Sequence, residues 1–385
     1  MCRKVRIDMK KNILVIDDSA LMRRLISDII NSDNRFNISD IAHNGLEAFD
    51  LITLFPNKYD AILLDINMPK MNGIQLLEQL NKHKLKLKII VVSTLAKEGA
   101  KETIQCLELG AFDFVTKPES LLDAKNETFK NKIISTLELA LSFETTQPQE
   151  RKPIKPIVKD KVETEERLST SLRPLELKRN VKVERRPHKA VDTKAKKLVA
   201  LACSTGGPKA LHQVIPLLPE TLDAPVLIVQ HMPEGFTNSL AQRLDELSKL
   251  SVKEAEHGDI LKKGNVYIAK GGSQMRVVKS KDGYMLAVTK EAARGGLKPC
   301  ADIMYESLTE LDFDDITCVV LTGMGGDGTS GIKQLNEKNN IYVIAQNATT
   351  CTVYGMPKVI YESGLVDEVV PIEKVAEAIT KNVGC

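Results

Sequence analysis

The amino-acid sequence predicts an α/β protein with two doubly wound parallel-sheet domains, and three observations support this fold class. Short runs of β-branched residues alternate with segments of helical periodicity in both halves of the chain. This alternation is typical of parallel sheets whose strands are joined by right-handed helical crossovers. The length of 385 residues suits two or three domains of roughly 150 residues each. A composition of 43% hydrophobic and 27% charged residues is typical of globular, water-soluble proteins.

The strands of both halves are predicted from short apolar runs. In the first half they span 12–16, 61–64, 88–92 and 112–115, and apolar residues at helical spacing predict a helix over 20–30. In the second half, strands are predicted over 198–203, 225–230, 316–321 and 341–345. Between them, the segments 265–270, 274–278 and 284–289 predict an antiparallel insert.

A charged segment separates the two halves. Residues 147–197 contain five prolines and no aromatic residue, with sixteen Lys or Arg against eight Asp or Glu. Their net charge is +8, and because the whole chain carries +3, the remainder carries −5. Such a segment cannot bury enough apolar surface to offset the entropy of ordering it, so we expect a flexible linker. The expected organisation is a first domain over 1–143, a linker over 144–195 and a second domain over 196–385.

Composition excludes several classes of protein. No apolar run approaches the roughly 18 residues of a membrane helix, and the run after the basic start of the chain is too short for a signal peptide. Seven scattered cysteines without a CxxC pair argue against a disulfide framework and a tetrathiolate zinc site. Nucleic-acid binding needs basic charge on a folded face with aromatic residues. We therefore expect a cytoplasmic protein with no membrane insertion and no nucleic-acid partner.

Charged and polar residues follow the predicted strands of the first domain. Asp17 and Asp18 follow the first strand, Asp65 the second, Ser93 the third and Lys117 the fourth. Ligands bind at the carboxyl ends of parallel strands. Three carboxylates repel each other unless a cation lies among them, and Mg²⁺ prefers such ligands, while a lysine and a hydroxyl suit a phosphoryl group. Capping of the next helix is an alternative for the first two aspartates only.

The motifs VIDDSALMR, LLDINMPKMNG, VVST and FVTKP resemble the receiver domain of bacterial two-component response regulators, over about residues 11–141. The resemblance implies a flavodoxin-like fold in which Asp65 accepts a phosphoryl group with the help of Mg²⁺. The further residues that it implies are Asp17, Asp18, Asp65 and the backbone carbonyl of Asn67 for the metal, Lys117 for the phosphate, and Ser93 and Phe114 for the switch.

A possible nucleophile lies at the start of the second domain. The sequence ALACSTGGPKALHQVI predicts a strand, a glycine-rich turn and a helix. Ser204 and Gly206 approximate the small-x-Ser-x-Gly turn that raises a serine hydroxyl above a sheet, and the following amides suit an oxyanion. A plain glycine turn with Ser204 as helix cap explains the same residues equally well. Cys203 is interpreted as packing, because a buried thiol at a strand end stays protonated.

A serine nucleophile needs a base and an orienting acid. His231 is favoured as the base because it ends the strand PVLIVQ, on the same rim as Ser204. His257, near a turn, is second, and His212 is expected on a helix surface. The acid is expected at Asp327, in the turn of TCVVLTGMGGDGTSG. That turn also matches the dinucleotide pattern GxGxxG, but the acidic residue expected about 20 positions later is missing.

Together, CSTGGP, QHMPEGFT and LTGMGGDGTSG resemble the catalytic domain of the CheB family of chemotaxis protein-glutamate methylesterases, over about residues 195–385. With a receiver in front, the resemblance extends to the full length. It implies a Rossmann-like domain with Ser204 as nucleophile, His231 as general base and Asp327 as orienting acid. It also implies that the backbone amides of Thr205 and Met324 bind the oxyanion.

The resemblance implies a phosphorylation-activated hydrolase acting on methyl-accepting chemoreceptors. It would demethylate glutamyl methyl esters and deamidate glutamines, with a chemotaxis histidine kinase as phosphodonor and no cofactor for ester hydrolysis. Gln274 and Asn347 depart from the histidine and aspartate that are usual in the family, which bears on the substrate groove. Two rival hypotheses are a response regulator with a DNA-binding second domain, which the net charge of −5 outside the linker disfavours, and a nucleotide-binding enzyme.

Overall fold

The computed structural model describes residues 10–118, 127–142 and 196–385, and these form two α/β domains. Both are built on a parallel sheet with helices on its faces, which confirms the predicted fold class. The linker predicted over 144–195 lies outside the described residues. In the part of the chain that is described, no helix is both long and apolar enough to span a membrane.

The first domain contains five strands and five described helices. The strands are β1 (Lys11–Ile16), β2 (Phe36–Ala42), β3 (Ala61–Asp65), β4 (Ile89–Ser93) and β5 (Asp113–Thr116), and the helices are α1 (Ala20–Asn31), α2 (Gly45–Leu54), α3 (Gly73–Lys82), α4 (Lys97–Glu108) and α5 (Glu127–Ser142). The strand order is β2-β1-β3-β4-β5, with all neighbours parallel. The four predicted strands are confirmed, whereas the sequence pattern missed β2, an edge strand that is only partly buried.

The apolar runs form strands because the sheet is buried on both faces. Leu14 and Ile16 of β1 belong to one apolar core, while Ile13 and Val15 belong to the core on the opposite face. Successive side chains of a strand point to opposite faces, so a strand that is buried on both needs apolar residues at every position. This burial carries the strand ends, with their charged residues, to one edge of the sheet.

The second domain is larger. Its strands are β6 (Lys197–Cys203), β7 (Val226–Gln230), β8 (Ser251–Glu254), β9 (Asn265–Ile268), β10 (Gln274–Ser280), β11 (Gly283–Thr289), β12 (Asp315–Val320), β13 (Ile341–Gln346) and β14 (Glu368–Val370), and its helices are α6 (Gly207–Val214), α7 (Phe236–Leu247), α8 (Ala301–Glu306), α9 (Thr329–Asn336), α10 (Met356–Glu362) and α11 (Ile372–Val383). Seven strands form a parallel sheet in the order β14-β13-β12-β6-β7-β9-β8, and β10 pairs with β11 in a separate hairpin.

The predicted antiparallel insert is wrong for its first segment. β9 lies in the main sheet and pairs in parallel with β7 and β8, whereas only β10 and β11 pair antiparallel. A short apolar run shows that a strand forms but not which strand it pairs with. β8 (SVKE) and β14 (EVV) also escaped prediction, because they are short and contain charged residues.

The two domains pack against each other through α4 and β5 of the first domain. α4 lies against α6 and α7 of the second. A single apolar core crosses the contact and joins Ile104 and Leu107 of the first domain to Leu211 and Leu240 of the second. The contact therefore buries apolar surface, which is the main source of stability in such interfaces.

A charged cluster supports this interface. Arg243 donates two hydrogen bonds to Glu108, from Nε to Oε1 (2.7 Å) and from Nη2 to Oε2 (3.1 Å). His212 Nε2 lies 2.7 Å from Glu108 Oε1. Burial opposes ionisation of Glu108, but His212 and Arg243 together lower its pKa to about 2. The expectation that His212 lies on the surface is wrong, because the first domain covers that face of α6.

Candidate active site

Three carboxylates meet at the carboxyl edge of the first sheet. Asp17 follows β1 and Asp65 ends β3, and both are buried, while Asp18 is exposed. One carboxylate oxygen from each lies within 4.8 Å of the others. The predicted convergence of these strand ends is thus present, and helix capping by the first two aspartates does not account for it.

Lys117 lies among these carboxylates. Its Nζ is 2.9 Å from Asp17 Oδ2 and 2.9 Å from Asp65 Oδ1. Burial raises the pKa of Asp65, and Lys117 only partly offsets this. Three carboxylates and one ammonium leave a formal charge of −2, and their oxygen atoms are the ligands that Mg²⁺ prefers. The residues present therefore suit a divalent cation.

The other predicted residues of this site lie on the same side of the sheet but make different contacts. Ser93 is buried and donates from Oγ to the Gly99 carbonyl oxygen at 3.2 Å. The Asn67 side chain donates from Nδ2 to Glu102 Oε2 at 2.9 Å, at the side of α4. Their roles in metal binding and switching stay predictions.

The side chain of Phe114, in β5 of the first domain, contacts the second domain. Its ring stacks on the ring of Phe236, the first residue of α7, with centroids 4.6 Å apart and planes inclined by 28°. Stacked aromatic pairs of this kind stabilise a contact beyond the area that they bury. The predicted switch aromatic is therefore part of the domain interface.

Ser204 lies in a tight turn between β6 and α6. Gly206 has φ +77°, and a Cβ atom there would lie 2.3 Å from Thr352 Cβ, so only glycine suits this position. The backbone N–H of Ser204 donates to the Thr322 carbonyl oxygen at 3.0 Å. The preceding Cys203 is fully buried, and burial raises the pKa of its thiol well above the ordinary value. The thiol is therefore buried and protonated near neutral pH, as expected of a packing residue.

His231 and Asp327 form a hydrogen-bonded pair. His231 follows β7, and its Nε2 lies 2.7 Å from Asp327 Oδ2, with both side chains largely buried. Asp327 lies in the turn between β12 and α9, the turn that also matches the dinucleotide pattern. His257, the second candidate for the base, is exposed in the turn after β8.

Asp327 is held as a carboxylate by donors on every side. Oδ2 accepts from the backbone N–H of Ala301 (2.6 Å), and Oδ1 accepts from the N–H of Asp302 (3.0 Å) and from Cys300 Sγ (3.1 Å). Burial opposes the charge, but the hydrogen bonds from His231, Ala301 and Asp302 lower the pKa of Asp327 to about 2. Asp327 is therefore ionised at any pH near neutrality.

Two backbone amides near Ser204 have no hydrogen-bond partner in the part of the chain that the structure describes. The N–H groups of Thr205 and Met324 make no hydrogen bond to any of the residues that the structure describes. Gly323 allows the two turns to approach each other, since a Cβ atom there would lie 2.8 Å from Ser204 Cβ. Unpaired amides at a glycine turn suit a developing oxyanion.

Gln230 is a residue that the sequence analysis missed. Its Nε2 donates to the carbonyl oxygens of Ser204 (3.1 Å) and His231 (3.3 Å), and its Oε1 accepts from Cys203 Sγ (3.0 Å). It therefore fixes the segments that carry the predicted nucleophile and base. The only sequence signal was a polar residue at the last position of a buried strand.

A cavity of about 440 Å³ lies between the domains and is lined by Ser204, Thr205, His231 and Met324 together with residues of β5 and α5. Asp113 at the start of β5 accepts a hydrogen bond from Thr205 Oγ1 at 2.7 Å. Burial raises the pKa of Asp113, against the opposing effects of Lys132 and Thr205. The first domain thus covers the cavity that holds the predicted nucleophile.

Two family descriptions match this chain. Residues 13–126 match the response regulator receiver domain, and residues 199–379 match the CheB methylesterase domain. Protein-glutamate methylesterase/protein-glutamine glutaminase 1 of Syntrophomonas wolfei is 39% identical over 375 residues, which is 96% of this chain and 98% of that one. The enzyme of that name from Bacillus subtilis is 38% identical over 369 residues, which is 96% of this chain and 97% of the relative.

A solved structure of part of such a protein is also similar. The CheB methylesterase catalytic domain of Thermotoga maritima is 39% identical, with a TM-score of 0.47, and covers 50% of this chain and 100% of its own.

Removing the charge of Asp327 should change how stability depends on pH. The carboxyl pKa is about 2 in the folded protein and about 3.9 in an unfolded chain, so the ionised group stabilises the fold by about 2–3 kcal/mol near neutral pH. This contribution is present above the unfolded pKa and disappears as the pH falls from about 4 towards about 2. We expect Asp327→Asn to be most destabilising near pH 7 and least near pH 2, as measured by urea unfolding. A destabilisation that is equal at both pH values would contradict this account.

Proposed function

This chain belongs to the CheB family of protein-glutamate methylesterases/protein-glutamine glutaminases with a response regulator receiver domain, and we propose that Ser204, His231 and Asp327 carry out its ester hydrolysis. The substrates are glutamyl methyl esters on chemoreceptors. The observation that supports this proposal is the 2.7 Å hydrogen bond between His231 Nε2 and Asp327 Oδ2, beside the cavity that Ser204 and His231 line. A buried carboxylate on one ring nitrogen prepares the other nitrogen to accept a proton.

The reaction begins with attack by Ser204 Oγ on the γ-carbonyl carbon of the glutamyl ester. Because Nε2 of His231 is already bonded to Asp327, the serine proton passes to Nδ1. The C–O bond to the methoxy group then breaks, the imidazolium returns the proton to the leaving oxygen, and methanol departs. Asp327 remains ionised throughout and stabilises the positive ring.

The acyl-enzyme is hydrolysed by the same groups. His231 takes a proton from water, the hydroxide oxygen attacks the acyl carbon, and Ser204 leaves with the proton, so that glutamate and free enzyme are formed. With a glutamine side chain the leaving group is ammonia instead of methanol. The amides of Thr205 and Met324 bind the oxyanion in both halves, and their lack of other partners among the described residues supports this role.

The first domain accepts the phosphoryl group on Asp65. Asp17, Asp18, Asp65 and the backbone carbonyl of Asn67 would hold Mg²⁺, which would neutralise charge on the phosphoryl oxygens. The formal charge of −2 left by three carboxylates and Lys117 supports this ligand set. Lys117 pairs with the phosphoryl group after transfer, because its Nζ already lies 2.9 Å from Asp65.

Phosphorylation uncovers the active site. Phosphorylation replaces the single negative charge of the Asp65 carboxylate with about two on the phosphoryl group, and these draw Lys117 away from Asp17 and give Ser93 Oγ a stronger acceptor than the Gly99 carbonyl. Because Lys117 directly follows the segment that contains Phe114, this movement weakens the stack of Phe114 on Phe236. The tight packing of this interface favours two discrete arrangements over continuous deformation.

The covering domain inhibits by a direct contact with the turn that carries Ser204 as well as by position. Asp113 accepts a hydrogen bond from Thr205 Oγ1, next to an amide that is proposed to bind the oxyanion. This hydrogen bond holds the first domain against the turn that carries Ser204. Withdrawal of Asp113 on domain separation therefore removes an obstacle and frees the hydroxyl of Thr205.

The partners follow from this function. The phosphodonor is a chemotaxis histidine kinase, and the methyl-accepting chemoreceptors are the substrates. We place the reaction in the cytoplasm, a proposal supported by seven cysteines without a disulfide pattern. Hydrolysis of the ester needs no cofactor in this scheme, because the chain itself supplies nucleophile, base and oxyanion donors.

Substitution of the nucleophile should abolish turnover. Since members of such a group act as a unit, Ser204→Ala should reduce methanol release from methyl-labelled receptor membranes by about 10⁴-fold or more. Cys203→Ala is the matched control, because the neighbouring thiol is buried and protonated, and it should keep most of the activity. Loss of activity in Cys203→Ala with full activity in Ser204→Ala would show that the nucleophile is misassigned. His231→Ala should likewise be inactive, whereas His257→Ala should resemble the wild type.

The first domain should both inhibit the second and respond to phosphorylation. We expect low basal methanol release that rises with a small phosphodonor and Mg²⁺, and no rise in Asp65→Asn. A tenfold rise in activity requires the free-energy difference between the closed and open forms to change by only about 1.4 kcal/mol. Deletion of residues 1–143 should raise basal activity without any phosphodonor. A deletion variant no more active than the unphosphorylated full chain would contradict inhibition by covering.

A further inference from the structure

Cys300 contacts the carboxylate of Asp327 and has no role so far. Its Sγ lies 3.1 Å from Asp327 Oδ1, on the carboxylate oxygen that His231 does not contact. Only 2% of the residue is exposed. Burial raises the pKa of the thiol to about 12, so near neutral pH it keeps its proton and donates it to the carboxylate. The contact is therefore an S–H···O hydrogen bond to an ionised group.

Cys300 is fixed in place by the interior of its own domain. Its backbone N–H donates to Gln274 Oε1 at 2.8 Å, and Gln274 is fully buried at the start of β10. The side-chain Nε2 of Gln274 donates to the carbonyl oxygen of Leu297 at 3.0 Å. Leu297 lines the same cavity as Ser204. Gln274 thus joins β10, the wall of the cavity and Cys300 in one network.

We propose that Cys300 is a positioning residue for ester hydrolysis, which fixes the plane of the Asp327 carboxylate so that Oδ2 faces His231. The inference rests on the proposed catalytic role of Asp327. A carboxylate turns about its last side-chain bond, and this torsion is broad in the absence of partners. The N–H of Asp302 and the thiol of Cys300 hold Oδ1 from two directions, which leaves Oδ2 for His231 and the N–H of Ala301.

The thiol also reduces the negative charge that the Asp327 carboxylate presents to His231. Each donor to Asp327 takes up part of the negative charge of its carboxylate. With one donor fewer, the carboxylate stabilises a protonated ring more strongly, and the base stays protonated to a higher pH. A residue that only fills space would not have this effect.

The test compares Cys300→Ala with Cys300→Ser in the full-length protein with a phosphodonor and Mg²⁺. Cys300→Ala removes the donor, so kcat should fall about tenfold, as expected for one hydrogen bond to a charged group, with little change in KM. The acid limb of its pH–rate profile should move to higher pH. Cys300→Ser keeps a donor and should restore most of kcat. Cys318→Ala is the matched control, because Cys318 is fully buried in β12 and the same volume is removed away from the site.

Three results would overturn the inference: a kcat of Cys300→Ala equal to that of Cys318→Ala, a Cys300→Ser variant as slow as Cys300→Ala, or an unmoved acid limb. A double-mutant cycle with Asp327→Asn gives a further check. If Cys300 acts through Asp327, adding Cys300→Ala to Asp327→Asn should lower kcat by less than twofold, whereas full additivity contradicts the inference. Full activity of Asp327→Asn alone would instead refute the proposed catalytic group, which separates the two failures.

Discussion

The proposed control of this enzyme depends on the contact of one edge strand, β5, with the second domain. β5 has a sheet neighbour on one side only, and an edge left open invites pairing with other chains. Here the edge is covered: Asp113 accepts a hydrogen bond from Thr205, and Phe114 stacks on Phe236. The next few residues lead to Lys117 at the proposed phosphorylation site. A single short segment therefore connects the carboxylates of one domain to the proposed nucleophile of the other.

The pKa values of Asp327 and Asp65 are shifted in opposite directions, and this difference matches their proposed roles. Asp327 is surrounded by donors and has a pKa of about 2, so it stays charged while a neighbouring ring gains and loses a proton. Asp65 lies beside Asp17 and burial raises its pKa, with Lys117 as a partial offset. The charge of Asp65 is therefore stabilised by an added cation, or by phosphorylation followed by pairing of the phosphoryl group with Lys117. Asp327 is thus held in one charge state, whereas the environment of Asp65 favours a change in its charge state or covalent state.

Local rules predicted most strands of both sheets and placed the acidic and polar candidate residues at one edge of each sheet, because apolar runs form buried strands and polar residues directly after them share that edge. The features that escaped prediction depend on contacts between distant segments. β9 is apolar like its neighbours, but only the assembled sheet decides its partner. His212 has the sequence context of an exposed helical residue, and its burial comes from Glu108 in the other domain. Cys300 belongs to no motif and meets Asp327 only because α8 begins there.

The most direct test of the central claim joins the domains covalently outside both sites. Glu108 and Arg243 contact each other across the interface, so Glu108→Cys and Arg243→Cys can be linked by a short bifunctional thiol reagent, in a protein whose Cys2 and Cys385 are replaced by serine. Methanol release is then measured with and without a phosphodonor and Mg²⁺. If β5 must leave the cavity, the linked protein stays at low activity in both conditions, while the same protein left unlinked is activated by the phosphodonor and Mg²⁺. Equal activation of linked and unlinked protein would contradict the claim.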